Sequence, residues 1–198
     1  MTAIVLVRAD DAGIARAAER VRAGEVVAFP TESSYGLAAL ALDAAALQRL
    51  VELKGRAASQ RISLLVADAS MLAEVTRELP ARARALIAAH WPGALTLVLP
   101  ARAGLAPQLV NEHGGVGVRV SSDPVAQALV RAVGAPITAT SANLGGQPAA
   151  TTAQEASIAG VALVLDDGPR TAAASTVAEV AADGAVTVLR AGPVDVGG

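Results

Sequence analysis

Short apolar runs rich in valine, isoleucine and leucine alternate with longer alanine-rich stretches of helical period along most of the chain. Such alternation confines a chain to an α/β fold, because strands must bury a face against the helices that connect them. The runs IVLV (4–7), VVAF (26–29), ISLLVA (62–67), ALTLVL (94–99), GVGVRV (115–120) and VALVL (161–165) read as strands. Between them, Asp10 or Asp11 caps a helix whose stripe is Ile14, Ala17, Ala18 and Val21 and which Gly24 closes. Asp43 caps a second helix with the stripe Leu47, Leu50, Val51 and Lys54, and two more are expected near 70–79 and 81–90. Asp123-Pro124 opens another, with proline at its first position, and Gly134 ends it.

PTESSYG reads as a turn, PITATSAN as a strand running into a loop, and Thr151 or Thr152 as the cap of a short helix. TVAEV and AVTVL flank Ala182-Asp183-Gly184 as a terminal hairpin, which must be antiparallel, whereas the helical connections imply parallel neighbours. PVDVGG reads as a frayed tail. No repeat or low-complexity linker interrupts the pattern, so residues 1–198 are expected to form a single domain with a mixed sheet.

Composition removes several function classes. Net charge is -2, so no global basic field draws in nucleic acid. The aromatics are Phe29, Tyr35 and Trp91 alone, too few to stack successive bases. Cysteine is absent, which excludes disulfides, thiolate metal sites and cysteine nucleophiles. The longest uncharged run, 132–154, carries prolines, glycines and Asn143, unlike a membrane span. MTAIVLVRADD reaches acidic residues too early for a signal peptide, and a cytoplasmic location is expected.

The chain also lacks a Walker A loop, a G-x-G-x-x-G fingerprint and a G-x-S-x-G elbow. His90 and His113 stand in no metal-ligand spacing. What remains is a scatter of polar residues at strand and helix ends. Lys54 is the sole lysine among sixteen cationic side chains. It continues a buried helical stripe and precedes Gly55, a natural helix-terminating glycine, and then Arg56. Two cations at one mouth would suit a phosphate; a lysine stem lying along the core edge, with both charges in water, satisfies the spacing equally.

Ser141 and Asn143, in TATSANLGG, sit at the end of a strand where α/β ligands gather, or else merely organise a turn. In FPTESSYGL, a hydroxyl and a carboxylate following a buried strand could recognise a small polar ligand. Arg119, in the middle of an apolar strand, requires an anionic partner, either a ligand or a neighbouring carboxylate. Ser175 in STV and Arg190 in VLRAG complete the set.

Taken in order, PTESSYGL, LKGR, WPGALTLVLP, VGVRV, TSANLGG, STV and LRAG resemble the YrdC (TsaC) family of L-threonylcarbamoyladenylate synthases across about residues 24 to 192. The resemblance implies a YrdC-like fold, a twisted mixed parallel and antiparallel sheet with flanking helices and a concave cleft. It also implies a reaction in which L-threonine, bicarbonate and ATP give threonylcarbamoyl-AMP and pyrophosphate, for later transfer to tRNA by other proteins. By motif, Lys54 and Arg56 are implied as the catalytic cations. Lys54, Arg56, Ser141, Asn143 and Arg190 are implied as the nucleotide and phosphate cluster, and Thr31, Arg119 and Ser175 as the threonine site. Magnesium would be carried by triphosphate oxygens and water, with no ligand from protein side chains, and tRNA binding is expected to be weak.

The chain departs from the family pattern at several points. Ala57 and Arg61 stand where proline or glycine is usual, Leu65 where longer members carry a substrate-contacting histidine, and Ala174 where a glutamate often precedes STV. The resemblance also stops short of the additional C-terminal domain of longer members. Two other functions compete on these residues: a non-catalytic RNA-binding module of the same fold, and a carbamoyl-adenylate-forming enzyme for another acceptor.

Overall fold

The computed structural model describes residues 4–55, 61–144 and 146–197. Arg56, Ala57 and Gly145 therefore lie outside the described residues. Among the described residues, eleven strands and four α-helices follow one another in chain order. They run β1 (Val5–Arg8), α1 (Asp11–Arg22), β2 (Val27–Pro30), β3 (Tyr35–Ala38), α2 (Ala44–Lys54), β4 (Leu64–Leu65), α3 (Ala81–His90), β5 (Leu95–Pro100) and β6 (Gly115–Arg119). There follow α4 (Pro124–Val133), β7 (Ile137–Thr138), β8 (Thr140–Ser141), β9 (Leu163–Asp166), β10 (Thr176–Val180) and β11 (Val186–Arg190).

The strands form two mixed sheets, ordered β1-β9-β2-β3-β8 and β11-β10-β5-β6-β4-β7. In the first, β9 runs parallel to β1 and β2, while β3 is antiparallel to both β2 and β8. In the second, β10 is parallel to β5 and antiparallel to β11, as the hairpin reading of the sequence requires. The period of two along each strand sorts side chains onto two faces. Leu163, Leu165, Val27 and Phe29 pack against α1 and α4, whereas Val164, Ala28, Tyr35 and Leu37 join Leu95, Leu97 and Leu99 in the larger core.

Local chemistry explains the helix ends. The Asp123 carboxylate accepts from the N–H groups of Val125 and Ala126, Pro124 occupies the first turn, and Gly134 closes α4 in the left-handed region at φ 76°. Asp43 caps α2 in the same way, and Gly55, at φ 67°, turns the chain away directly after Lys54.

Four local expectations are met only in part. The turn expected in PTESSYG is present at Thr31–Ser34, but it closes a β-hairpin whose second strand, Tyr35 to Ala38, pairs back onto β2. No α-helix forms over 70–79; a 3-10 helix at Ala69–Glu74 is followed by extended chain. The end of β5 claims that segment's hydrogen bonds, with Arg77 N–H donating to Pro100 O and Arg102 N–H to Val75 O. The expected strand 62–67 is paired in register only at Leu64–Leu65, where it lies between β6 and the two-residue β7. Thr152 does cap, its hydroxyl accepting from Glu155 N–H while the Glu155 carboxylate accepts from Thr152 N–H, but only a turn follows and no helix.

The tail also differs from expectation. Val196 is buried, and Arg82 on α3 donates to the carbonyls of Val196 and Gly197. Val194 is tied twice to the Thr176 hydroxyl, which donates to its carbonyl and accepts from its N–H.

One crossing positions everything that follows. Between β7 and β8 the chain passes from the second sheet to the first through Ala139, whose N–H donates to Ser63 O. The strand ends of both sheets converge at this seam.

Candidate functional site

A cavity of about 290 Å³ opens at the seam, at the small end of the ~300–1,000 Å³ typical of ligand pockets. Thr31, Ser141, Arg119, Ser175 and Arg190 all line it, so five of the eight residues singled out from the sequence meet at one place. Thr31 and Ser141 come from the first sheet's hairpin and edge; Arg119, Ser175 and Arg190 come from the second.

The first-sheet wall is built by backbone demand. Thr31 closes the β2–β3 hairpin, its N–H and hydroxyl both donating to Ser34 O, at 2.9 and 2.7 Å. Ser141 Oγ donates to Asn143 Oδ1 at 2.6 Å. Lys54, at the last turn of α2, donates to the Ser141 carbonyl at 2.7 Å and to Asn143 Oδ1 at 2.9 Å. The ammonium therefore stands behind this wall rather than in open water, and its half-burial lowers its pKa. The Lys54 head is thus not left to water as the snorkelling reading has it, while the reading of two cations at one mouth turns on Arg56. Asn143 faces a neighbouring groove with Leu144 and Gln147. Arg56, two residues beyond Lys54, lies outside the described residues.

The opposite wall is cationic. Arg190 donates through Nε to Ser175 O and through Nη2 to Ser175 Oγ, both at 3.0 Å. Ser175 Oγ also pairs with Thr96 Oγ1 at 3.1 Å, and both hydroxyls are buried. Gly192 makes this arrangement possible, since a Cβ there would lie 2.4 Å from Thr176 N and 2.7 Å from Ala174 O. Among the described residues no carboxylate lies within 4 Å of Arg190. Burial, and then the nearby charge of Arg119, lower the Arg190 pKa.

Arg119 has the partner its position demanded. Its guanidinium forms an ion pair with Glu32, and its Nε donates to Gly93 O at 2.8 Å. Burial alone would raise the Glu32 pKa, but the Arg119 charge, the residue's own backbone N–H and the Ser122 hydroxyl together hold it at about 2. Glu32, weighed from sequence as a ligand-recognising carboxylate, thus turns to Arg119.

The structure adds lining residues that the sequence reading passed over. Thr96 breaks the apolar run ALTLVL, a signal that was available. Arg61, noted only as a departure, stands at the cavity with a 3.3 Å bond to Pro107 O as its anchor. Leu64 and Leu65 supply apolar lining.

Comparison with known proteins places this geometry. Residues 19–192 match the Sua5/YciO/YrdC family, described as "Telomere recombination". The chain belongs to that family. It is 38% identical over 190 residues to a threonylcarbamoyl-AMP synthase of Bacillus subtilis (strain 168), covering 92% of this chain and 54% of that protein. It is 39% identical over 187 residues to a putative threonylcarbamoyl-AMP synthase of Mycobacterium tuberculosis, covering 92% of this chain and 85% of that one.

Among solved structures, Sua5 of Pyrococcus abyssi complexed with L-threonine superposes with a TM-score of 0.86 at 33% identity, over 96% of this chain and 57% of that one. YciO of Escherichia coli superposes at 0.84 with 27% identity, over 99% and 98%. The chain thus spans little more than half the length of the Bacillus and Pyrococcus family members, and nearly all of the Escherichia one.

Proposed function

We propose that this family member is an L-threonylcarbamoyladenylate synthase, which condenses L-threonine, bicarbonate and ATP into threonylcarbamoyl-AMP, pyrophosphate and water. The observation that carries the reading is the unequal charge of the cavity. Three arginines line it, and among the described residues only Arg119 has a carboxylate beside it. Arg190, and Arg61 with it, therefore offers uncompensated positive charge in a small, hydroxyl-rich space. An anionic substrate restores the solvation that Arg190 has lost. The names of the relatives agree with this chemistry.

In the proposed reaction the threonine amine captures the carbon of bicarbonate as a carbamate, with loss of water. A carbamate oxygen then attacks the α-phosphorus of ATP, and the bond to the β,γ-diphosphate breaks. Nucleophile and electrophile are both anionic, so fixed positive charge and preorganised donors lower the barrier. Ser141 and Asn143, held in place by Lys54, are assigned to the nucleotide phosphates together with Arg190. Arg56 is assigned beside them from sequence alone. Thr31, Ser175 and Arg119 are assigned to the threonine.

Among the described residues no cluster of three or more His, Asp or Glu side chains could hold a metal. Magnesium is proposed to enter as part of the nucleotide substrate, carried by triphosphate oxygens and water. No helix among the described residues is long and apolar enough to cross a membrane. A single domain over 1–198, a cytoplasmic location and hand-over of the product to tRNA-modifying partners belong to the same proposal.

The test is incubation with ATP, bicarbonate and each amino acid in turn, followed by mass spectrometry of the adenylates. The expected product is threonylcarbamoyl-AMP, with L-threonine preferred over serine and glycine. Equal yields from all three amino acids, or none from threonine, would overturn the reading.

A further inference from the structure

Glu32 sits where the two sheets meet, between the hairpin that carries Thr31 and the strand that carries Arg119. Its Oε1 accepts from both the N–H and the hydroxyl of Ser122, each at 2.7 Å. Its Oε2 faces the Arg119 guanidinium, and side-chain exposure is 19% for the glutamate and 11% for the arginine. Arg119 is gripped on another side by Gly93 O, from the turn before β5. Two chain segments distant in sequence from Arg119, at Glu32 and Gly93, therefore fix one guanidinium, which itself lines the cavity.

A buried ion pair is weak evidence for stability, because desolvation offsets most of its attraction. The pair does have two consequences for the cavity. It holds an otherwise flexible side chain in one geometry, so less entropy is lost when a substrate carboxylate binds. It also cancels the charge of Arg119, leaving the net positive charge of the cavity to Arg190 and Arg61. We infer that Glu32 is a positioning residue for the amino-acid substrate, acting through Arg119 to preset the guanidinium that meets the substrate carboxylate. This inference rests on the synthase reading above and goes beyond it in assigning a residue that turns its charge to Arg119.

The experiment measures KM separately for L-threonine and ATP in wild type, Glu32→Gln, Arg119→Met and the double variant, with melting temperatures alongside. Glu32→Gln is expected to raise the threonine KM roughly tenfold or more, the size of one lost charge-assisted hydrogen bond, with the ATP KM unchanged within about twofold. Because Glu32 acts through Arg119, the double variant should match Arg119→Met within about twofold instead of multiplying the two losses. Multiplying effects, or an unchanged threonine KM in Glu32→Gln, would overturn the inference while leaving the synthase reading intact.

Should Glu32→Gln fail to fold, Glu32→Asp decides by the same criteria. It keeps the charge but is one methylene too short to span Ser122 and Arg119 together. Should wild type form no adenylate, the synthase reading fails, and calorimetric binding of L-threonine decides the inference by the same roughly tenfold contrast. Equal affinities, or no threonine binding in wild type, would then overturn it.

Discussion

The ammonium of Lys54 donates to the backbone carbonyl of Ser141 at 2.7 Å and to Asn143 Oδ1 at 2.9 Å, joining the end of α2 to the edge strand of the first sheet. A compact ammonium with three donors can serve two acceptors at a crowded helix end, whereas a planar guanidinium requires a wider slot. Lys54→Met should remove the charged donor from both acceptors, leaving Asn143 Oδ1 the Ser141 hydroxyl and Ser141 O the Asn143 N–H, and cost about 1–3 kcal/mol, a fall in Tm of several degrees for a chain of this length. Lys54→Arg should cost less stability but push the Ser141–Asn143 loop by about an ångström, a displacement that costs on the order of a hundredfold in rate. Thermal denaturation and adenylate synthesis measured on both variants check this. Full activity in Lys54→Arg would show that the lysine's shape is immaterial.

The join between α2 and β8 could not be read from spacing, because Lys54 and Ser141 are separated by a register of strands and not by a helical period. The stripe through Leu47 and Leu50 did place Lys54 on the buried side, and the strand-end position of Ser141 was visible in PITATSAN. What sequence left open was the acceptor.

Arg119 shows the same boundary from the other direction. An arginine inside an apolar strand announces a partner, but only the hairpin folding of Thr31–Ser34 delivers Glu32 to it. That hairpin was itself read as a turn, since PTESSYG is rich in turn formers and its pairing partner lies directly before it. The β10–β11 hairpin was legible because both its strands alternate cleanly around Asp183-Gly184. The tail was misread as frayed because its anchors, Arg82 and Thr176, belong to distant elements.

Gly192 tests the close packing behind the cationic wall. A Cβ there would meet three backbone atoms of residues 174–176 within 2.7 Å, and backbone cannot swing aside as a side-chain tip can. Gly192→Ala is expected to cost about 1–3 kcal/mol through overpacking. The displaced segment carries the Thr176–Val194 bonds and adjoins Ser175, so synthesis should fall together with Tm. An unchanged melting curve would mean that the tail accommodates the methyl without disturbing the wall.

Acid titration isolates the Glu32–Arg119 pair. The Glu32 pKa is lowered from 4.5 to about 2, so the folded protein holds the ionised form more tightly than the unfolded chain does. The sign follows from linkage: this stabilisation is present above the unfolded pKa and is lost as pH falls through the folded one. The Tm difference between wild type and Glu32→Gln should stay level from about pH 7 down to about pH 5 and then shrink toward pH 2. A gap that is independent of pH throughout would mean that Glu32 is not selectively ionised in the fold.

The last prediction separates the two functions assigned to one hydrogen-bonded unit. Arg190 is anchored to Ser175 twice, once through the backbone carbonyl and once through the hydroxyl. Ser175→Ala removes only the hydroxyl, so the guanidinium keeps its Nε bond while Thr96 loses its buried partner. Arg190→Lys removes the planar fork itself and leaves a point charge without the guanidinium's fixed pair of N–H donors. With Arg190 assigned to phosphate and Ser175 to threonine, Arg190→Lys should raise the ATP KM roughly tenfold with little change for threonine. Ser175→Ala should do the reverse, with a stability loss of about 1–2 kcal/mol from the orphaned Thr96 hydroxyl. Steady-state kinetics with each substrate varied in turn read the contrast. If both variants raise both KM values equally, Thr96, Ser175 and Arg190 act as one rigid support, and neither residue discriminates between the substrates.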